Sequence, residues 1–243
     1  MGIFMKQDNH LSLTPKIVIF DLWNTLIEAT DKDYDRALRW LATDCFNRQY
    51  ADLKILSEQC KANYLESRKL SHKETSFISQ LQYFESKLNV KLSRNYLDIE
   101  SEFLRKFCNV LVVKGAQDLL QELNKHKVKC YILSNSIFSG ITLKKCLDNL
   151  GIGSSFEKVF SSSDLGFRKP YTETFDSLVF KLNISTNEYL RVFFIGDSFD
   201  KDYVPAERFG FYPMILGKNK DHSCRQFSSL GKILDHLKKS YLN

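Results

Sequence analysis

Apolar residues change their spacing twice along this chain, and each change marks a boundary. Near the start, Ile17-Val18-Ile19-Phe20 is an unbroken apolar run, as expected of a strand at 16–20 covered on both faces. From about Glu28 to Val110 the apolar positions recur every three or four residues: Leu38, Leu41 and Cys45; Leu53, Leu56, Cys60 and Tyr64; Ile78, Leu81, Phe84 and Leu88; Tyr96, Ile99, Phe103 and Phe107. That spacing lines apolar side chains along one face of a helix. Between Lys16 and Lys114 there is no Gly or Pro to interrupt it. Ser71 and Glu74 stand at capping-box spacing, which predicts the head of the third helix there. The stretch reads as a compact helical bundle.

From Gly115 the rhythm becomes strand and helix in alternation. Apolar runs at 128–133, 158–161, 191–195 and 211–216 predict strands, with helices near 117–125, 141–150, 174–182, 203–209 and 227–241. A βαβ rhythm implies a parallel sheet with right-handed crossovers. The expected fold is therefore α/β, a Rossmann-like parallel sheet core made of 1–27 and 111–243, with an inserted helical bundle at 28–110.

Ligands of such sheets bind beyond the carboxyl ends of the strands. The first strand runs into Asp21-Leu22-Trp23-Asn24-Thr25-Leu26, the second into Ser134-Asn135-Ser136 and the fourth into Gly196-Asp197-Ser198, with Asp202 close behind. The loop after the third strand carries Arg168-Lys169-Pro170. Three carboxylates, a hydroxyl and a lysine would thus gather at one sheet edge. Carboxylate and backbone oxygens suit Mg²⁺, which binds through one or two carboxylates plus substrate phosphate. Asp21 would attack phosphorus in line while Ser134, Lys169 and backbone N–H groups hold the phosphoryl oxygens.

Composition narrows the remaining classes. With 243 residues, 43% of them hydrophobic, the chain can bury a full core. Its net charge of +6 comes from scattered Lys and Arg with no basic block, which argues against a nucleic-acid surface. The six cysteines share no ligand-like spacing with the five histidines, so a zinc site is not expected. No apolar run is long enough to span a bilayer, and the first fifteen residues show no signal or lipidation pattern. The expectation is a cytoplasmic protein with no membrane partner; the sequence leaves oligomeric state open.

Taken in order, Ile17-Val18-Ile19-Phe20-Asp21-Leu22-Trp23-Asn24-Thr25-Leu26, Ile132-Leu133-Ser134-Asn135, Gly166-Phe167-Arg168-Lys169-Pro170 and Phe194-Ile195-Gly196-Asp197-Ser198 with Asp202 resemble the four motifs of the haloacid dehalogenase superfamily. The resemblance runs from about Lys16 to Leu216. It makes the helical insert similar to the cap of the subgroup that includes phosphoglycolate phosphatases and haloacid dehalogenases. It implies Asp21 as nucleophile, Ser134, Asn135 and Lys169 on the phosphoryl group, and Mg²⁺ held by Asp21, Asp197, Asp202 and the Trp23 carbonyl. A small phosphorylated metabolite would be the substrate, released through an aspartyl-phosphate intermediate.

One position departs from the phosphatase pattern. Phosphatases of that superfamily carry a second Asp two residues after the nucleophile to protonate the leaving oxygen; here Trp23 stands there, on the leaving-group side, and indole is no general acid. Two alternatives follow from Trp23: a metal-independent 2-haloacid dehalogenase-like hydrolase, whose relatives carry an aromatic residue at that position, or a non-catalytic phosphate-binding protein. Among further charged residues, Asp200 reads as an exposed loop residue and Arg36 and Arg39 as a solvated helix face, with a reach toward metal and anionic substrate as the respective alternatives.

Overall fold

The computed structural model describes residues 14–217 and 224–242. The first apolar run forms β1 (Ile17–Phe20), followed by β2 (Ile27–Lys32), α1 (Tyr34–Trp40), α2 (Tyr50–Ser71), α3 (Phe77–Leu88), α4 (Tyr96–Phe107) and β3 (Cys108–Val112). The alternating half supplies α5 (Ala116–Lys125), β4 (Lys129–Ser134), α6 (Gly140–Asn149), β5 (Lys158–Ser161), the single turn α7 (Ser162–Leu165) and α8 (Thr172–Leu182). It ends with β6 (Val192–Gly196), α9 (Val204–Arg208), β7 (Tyr212–Leu216), β8 (Gln226–Phe227) and α10 (Leu230–Ser240).

Six strands make one parallel sheet in the order β5-β4-β1-β6-β7-β8. Alternation along the strands sends side chains to opposite faces. Val18, Phe20, Ile132, Phe193 and Ile195 join one apolar cluster, and Ile19, Leu133, Phe160 and Phe194 another. The first cluster continues without a break into the insert, through Leu41, Leu53, Leu81, Ile99 and Phe103. The α/β class expected from the apolar pattern is thus the one found, with the central strands β1 and β6 wholly buried beyond Ile17.

Three local expectations fail, each for a tertiary reason. Ser71 does not cap the third helix: it is the last residue of α2, where its hydroxyl donates to the Ser67 carbonyl at 3.0 Å. The cap of α3 is Ser76, whose Oγ accepts from the Ser79 N–H at 3.0 Å. Residues 72–76 are instead drawn onto the loop before Lys169. The Glu74 N–H donates to the Gly166 carbonyl (2.9 Å), the Arg168 N–H to the His72 carbonyl (2.9 Å), and Lys73 bridges Phe167. Phe227 belongs to β8, and α10 starts three residues later, capped by Ser229. The third difference is the antiparallel pair β2–β3, which joins Ile27 to Val112 and Lys32 to Cys108 on either side of the insert.

The insert is also tied to the sheet domain by a buried acid. Glu100 of α4 is fully buried and accepts from the Ser139 N–H (3.0 Å), the Ser139 hydroxyl (2.5 Å) and the Thr142 hydroxyl (2.7 Å), all at the N-terminus of α6. Burial pushes its carboxyl above the usual glutamate value, and these hydrogen bonds offset that only in part. The folded chain therefore holds this proton more tightly than the unfolded chain, so stability falls as pH climbs from the unfolded pKa through the folded one. Glu100→Gln should remove that fall. The urea midpoint of the variant relative to wild type should move in the variant's favour between pH 4 and pH 8; a constant difference would contradict the raised pKa.

Candidate active site

Four loops at the carboxyl edge of the sheet build the site. β1 delivers Asp21, whose N–H donates to the Ile195 carbonyl at 2.8 Å and so extends the β1–β6 ladder by one step. The chain then turns back sharply: Asn24 takes a left-handed conformation (φ 63°), its N–H donates to the Ile27 carbonyl (2.7 Å), and the Leu26 N–H donates to the Leu22 carbonyl (2.9 Å). Asn tolerates that conformation better than most residues. The turn brings the buried Thr25 hydroxyl to Asp21 Oδ2 at 3.3 Å.

Beyond β6, Phe199–Tyr203 winds as a π-helical turn that returns Asp202 against the strand. Its carboxylate lies so close to Gly196 that a Cβ there would stand 2.4 Å from Asp202 Oδ2; only glycine fits. The same oxygen accepts from the Ser198 N–H at 3.0 Å. From the opposite side, the Asn135 side chain clamps the backbone of Lys169: its Nδ2 donates to the Lys169 carbonyl (2.9 Å) and its Oδ1 accepts the Lys169 N–H (2.8 Å). Asn135 was expected on phosphate; its side-chain amide is instead committed to the Lys169 backbone.

So held, the Lys169 ammonium lies between Asp21 Oδ1 (2.7 Å) and Asp202 Oδ1 (2.6 Å), with the residue only 3% exposed. A lysine is buried this deeply only when its charge is matched. Burial draws its pKa down, but Asp202 and Asp21 outweigh burial and raise it. Asp21 is pushed up to about 6, chiefly by burial and secondarily by Asp202 and Asp197, against the pull of Lys169. Asp197 is raised for the same reasons, burial first and Asp202 second. These shifts report one condition: two carboxylates share one buried ammonium with a third carboxylate beside them.

Oxygens of Asp21, Asp197 and Asp202 all lie within 4.8 Å of one another. A set of hard oxygen donors with surplus negative charge fits Mg²⁺. Asp21, Trp23, Asp197 and Asp202 line a cleft of about 320 Å³ together with Lys169. Ser134 ends β4 with its hydroxyl buried and, among the described residues, without a hydrogen-bond partner. A hidden hydroxyl left unpaired costs free energy unless something binds it.

Asp200 is exposed and outside the carboxylate group. Arg36 and Arg39 serve the insert's own surface: Arg39 pairs with Asp35 (2.9 Å) and lies 3.9 Å from the Tyr50 ring centre, while Arg36 lies 5.8 Å from that of Phe107. Two cleft cations had no role assigned from sequence, Arg168 and Lys201. Arg168 pairs with Glu74, whose fully buried carboxylate also takes Arg68 (2.8 Å) and the Ser162 hydroxyl (2.7 Å). Its adjacency to Lys169 was the available signal.

The haloacid dehalogenase-like hydrolase family matches residues 15–210 of the chain. Glyceraldehyde 3-phosphate phosphatase of Methanocaldococcus jannaschii is 29% identical over 128 residues, 49% of this chain and 53% of that protein, so the match spans about half the length of the curated relative. Among solved structures, 2-haloacid dehalogenase from Pseudomonas syringae pv. Tomato DC3000 superposes with a TM-score of 0.63 at 18% identity, over 93% of this chain and 99% of that one. A HAD phosphatase from Thermococcus onnurineus gives 0.59 at 17% identity, over 94% and 100%. At such identities the structural likeness speaks to fold alone.

Proposed function

We propose that this chain, which belongs to the haloacid dehalogenase-like hydrolase family, is a phosphatase of small phosphorylated metabolites that works through an aspartyl-phosphate on Asp21. The observation that carries this reading is the buried ammonium of Lys169, bridged between Asp21 and Asp202 beside Asp197. A displacement at phosphorus needs an oxygen nucleophile, a cation on the equatorial oxygens and a means of offsetting charge. The partial match to a phosphatase supports a phosphate ester as substrate.

In this reading an Asp21 oxygen bonds to phosphorus as the ester oxygen departs, and water then cleaves the acyl phosphate to restore the carboxylate. Lys169 holds a phosphoryl oxygen, and the unpaired Ser134 hydroxyl donates to another. Asp202 keeps Lys169 charged and in place, and Asn135 fixes the backbone on which Lys169 rides. Mg²⁺, held by Asp21, Asp197, Asp202 and the Trp23 carbonyl, would supply the positive charge that the carboxylates and the phosphoryl group together require. The inserted segment 28–110 acts as the cap, and the protein works in the reducing cytoplasm. No helix among the described residues is long and apolar enough to cross a membrane, and no disulfide joins the six cysteines.

Phosphate-ester hydrolysis should stop in excess chelator and return with Mg²⁺. Asp197→Asn should weaken it strongly, since that residue faces the cleft without belonging to the Lys169 bridge. Activity indifferent to chelator would favour the metal-independent dehalogenase reading, for which Trp23 in the cleft is the supporting observation.

A further inference from the structure

We infer that the substrate's organic group is aromatic, an aryl phosphate rather than a polar alkyl phosphate, and that it lodges in a second pocket inside the helical insert. This rests on the phosphatase reading above. The pocket has a volume of about 430 Å³ and is walled by Leu38, Phe77, Phe84 and Phe103, with Tyr64 and Ile137 also in its lining. Cleft and pocket are each of a size that takes small organic ligands.

The pocket is connected to the cleft through both backbone and side chains. Ile137 lies two residues past Asn135, and its carbonyl accepts from the Phe77 N–H at 2.8 Å. The strand end that positions Lys169 therefore continues directly into the pocket wall. On the other side, the Tyr64 ring lies 4.1 Å from the Arg68 guanidinium, Arg68 pairs with Glu74, and Glu74 pairs with Arg168 of the cleft.

A single carboxylate, Glu74, pairs with both Arg168 and Arg68, so the junction keeps one positive charge in surplus next to the cleft that receives the phosphoryl group, while the pocket beyond it is walled by rings. The exposed Lys61 and Glu58 contribute opposite charges to the pocket's lining. Aromatic walls favour a flat apolar guest by area and ring contact.

Trp23 gives an independent argument for the same chemistry. With no acid at that position, the electron pair of the breaking P–O bond stays on the leaving oxygen, which then takes its proton from water. A phenol, with an ordinary pKa of about 10, tolerates such a departure far better than an alkanol. The pocket and the missing acid thus select one class of substrate for different reasons.

The test compares acetyl phosphate, 1-naphthyl phosphate and glycerol 3-phosphate with Mg²⁺ present. Acetyl phosphate has a good leaving group and nothing to fill the pocket, so its turnover checks the phosphatase reading alone. KM for 1-naphthyl phosphate should be about tenfold or more below that for acetyl phosphate, and glycerol 3-phosphate should be the slowest. Ser57→Phe, which fills the pocket from α2, should raise the ratio of the naphthyl KM to the acetyl KM about tenfold. Binding of 1-naphthol, followed by its own fluorescence, should weaken in the same variant and gives a readout free of catalysis. Acetyl phosphate turnover with equal KM values that Ser57→Phe leaves in the same ratio, or with 1-naphthol binding unchanged by that variant, would overturn the aromatic pocket and leave the phosphatase standing. Absence of turnover of all three compounds would overturn both.

Discussion

Asp21→Asn should lower turnover of every phosphate ester by a factor on the order of 10⁴ or more while the chain stays folded. The carboxamide matches the carboxylate in shape but has no anionic oxygen to attack phosphorus. Folding should survive because the substitution removes a charge that is costly to keep: burial and two neighbouring acids push Asp21 up to about 6. Lys169 retains Asp202 at 2.6 Å as a partner. Steady-state rates with 1-naphthyl phosphate, alongside urea midpoints of variant and wild type, separate chemistry from stability. Wild-type rates in the variant would remove Asp21 as nucleophile, and a collapsed midpoint would show that its ionised form is needed to hold Lys169.

Trp23→Asp is expected to act in the opposite direction on alkyl phosphates, raising their turnover by some part of the roughly 10²–10⁴-fold that general acid catalysis supplies. Aryl and acyl phosphates should gain much less, since their leaving oxygens need no proton. The substitution is not free. The indole packs against the main apolar cluster, so its loss takes a share of the roughly 3–5 kcal/mol typical of large aromatic truncation. It also adds a fourth carboxylate to a cleft already holding three. The variant should therefore melt lower than wild type without metal and recover part of the difference in Mg²⁺. An unchanged ratio of alkyl to aryl rates would mean that leaving-group protonation does not limit the wild-type reaction.

The sheet was legible because β1, β4, β5, β6 and β7 are each an apolar run between turn residues, and burial on both faces leaves few other readings. Ile27–Lys32 (Ile-Glu-Ala-Thr-Asp-Lys) was not, since four of its six residues are polar and its partner lies some eighty positions away. Strand propensity there is decided by a neighbour that local pattern cannot show. The Ser71–Glu74 capping box failed similarly. Its spacing was right, but Glu74 turns inward to Arg168 and Arg68, and a buried ion pair outweighs a cap. In the site, Asp21, Lys169, Asp197 and Asp202 could be assembled from strand ends because the parallel topology brings those ends together. The work of Asn135 on the Lys169 backbone was hidden, since an amide that clamps a loop and one that binds phosphate look alike in sequence.

The β2–β3 pair has a consequence for how such a protein can change over evolutionary time. Ile27 faces Val112, so the chain leaves the sheet domain and rejoins it at neighbouring points. For the sheet domain everything between them is one closed loop, and the entropy of closing a loop grows only with the logarithm of its length. Lengthening, shortening or exchanging that segment therefore costs the sheet little in closure entropy, provided the new segment keeps contacts equivalent to those of Glu74 beside Lys169 and Glu100 on α6. In the reading proposed above, selectivity and chemistry sit on parts of one chain that meet at a few buried contacts, so either can vary while those contacts are kept.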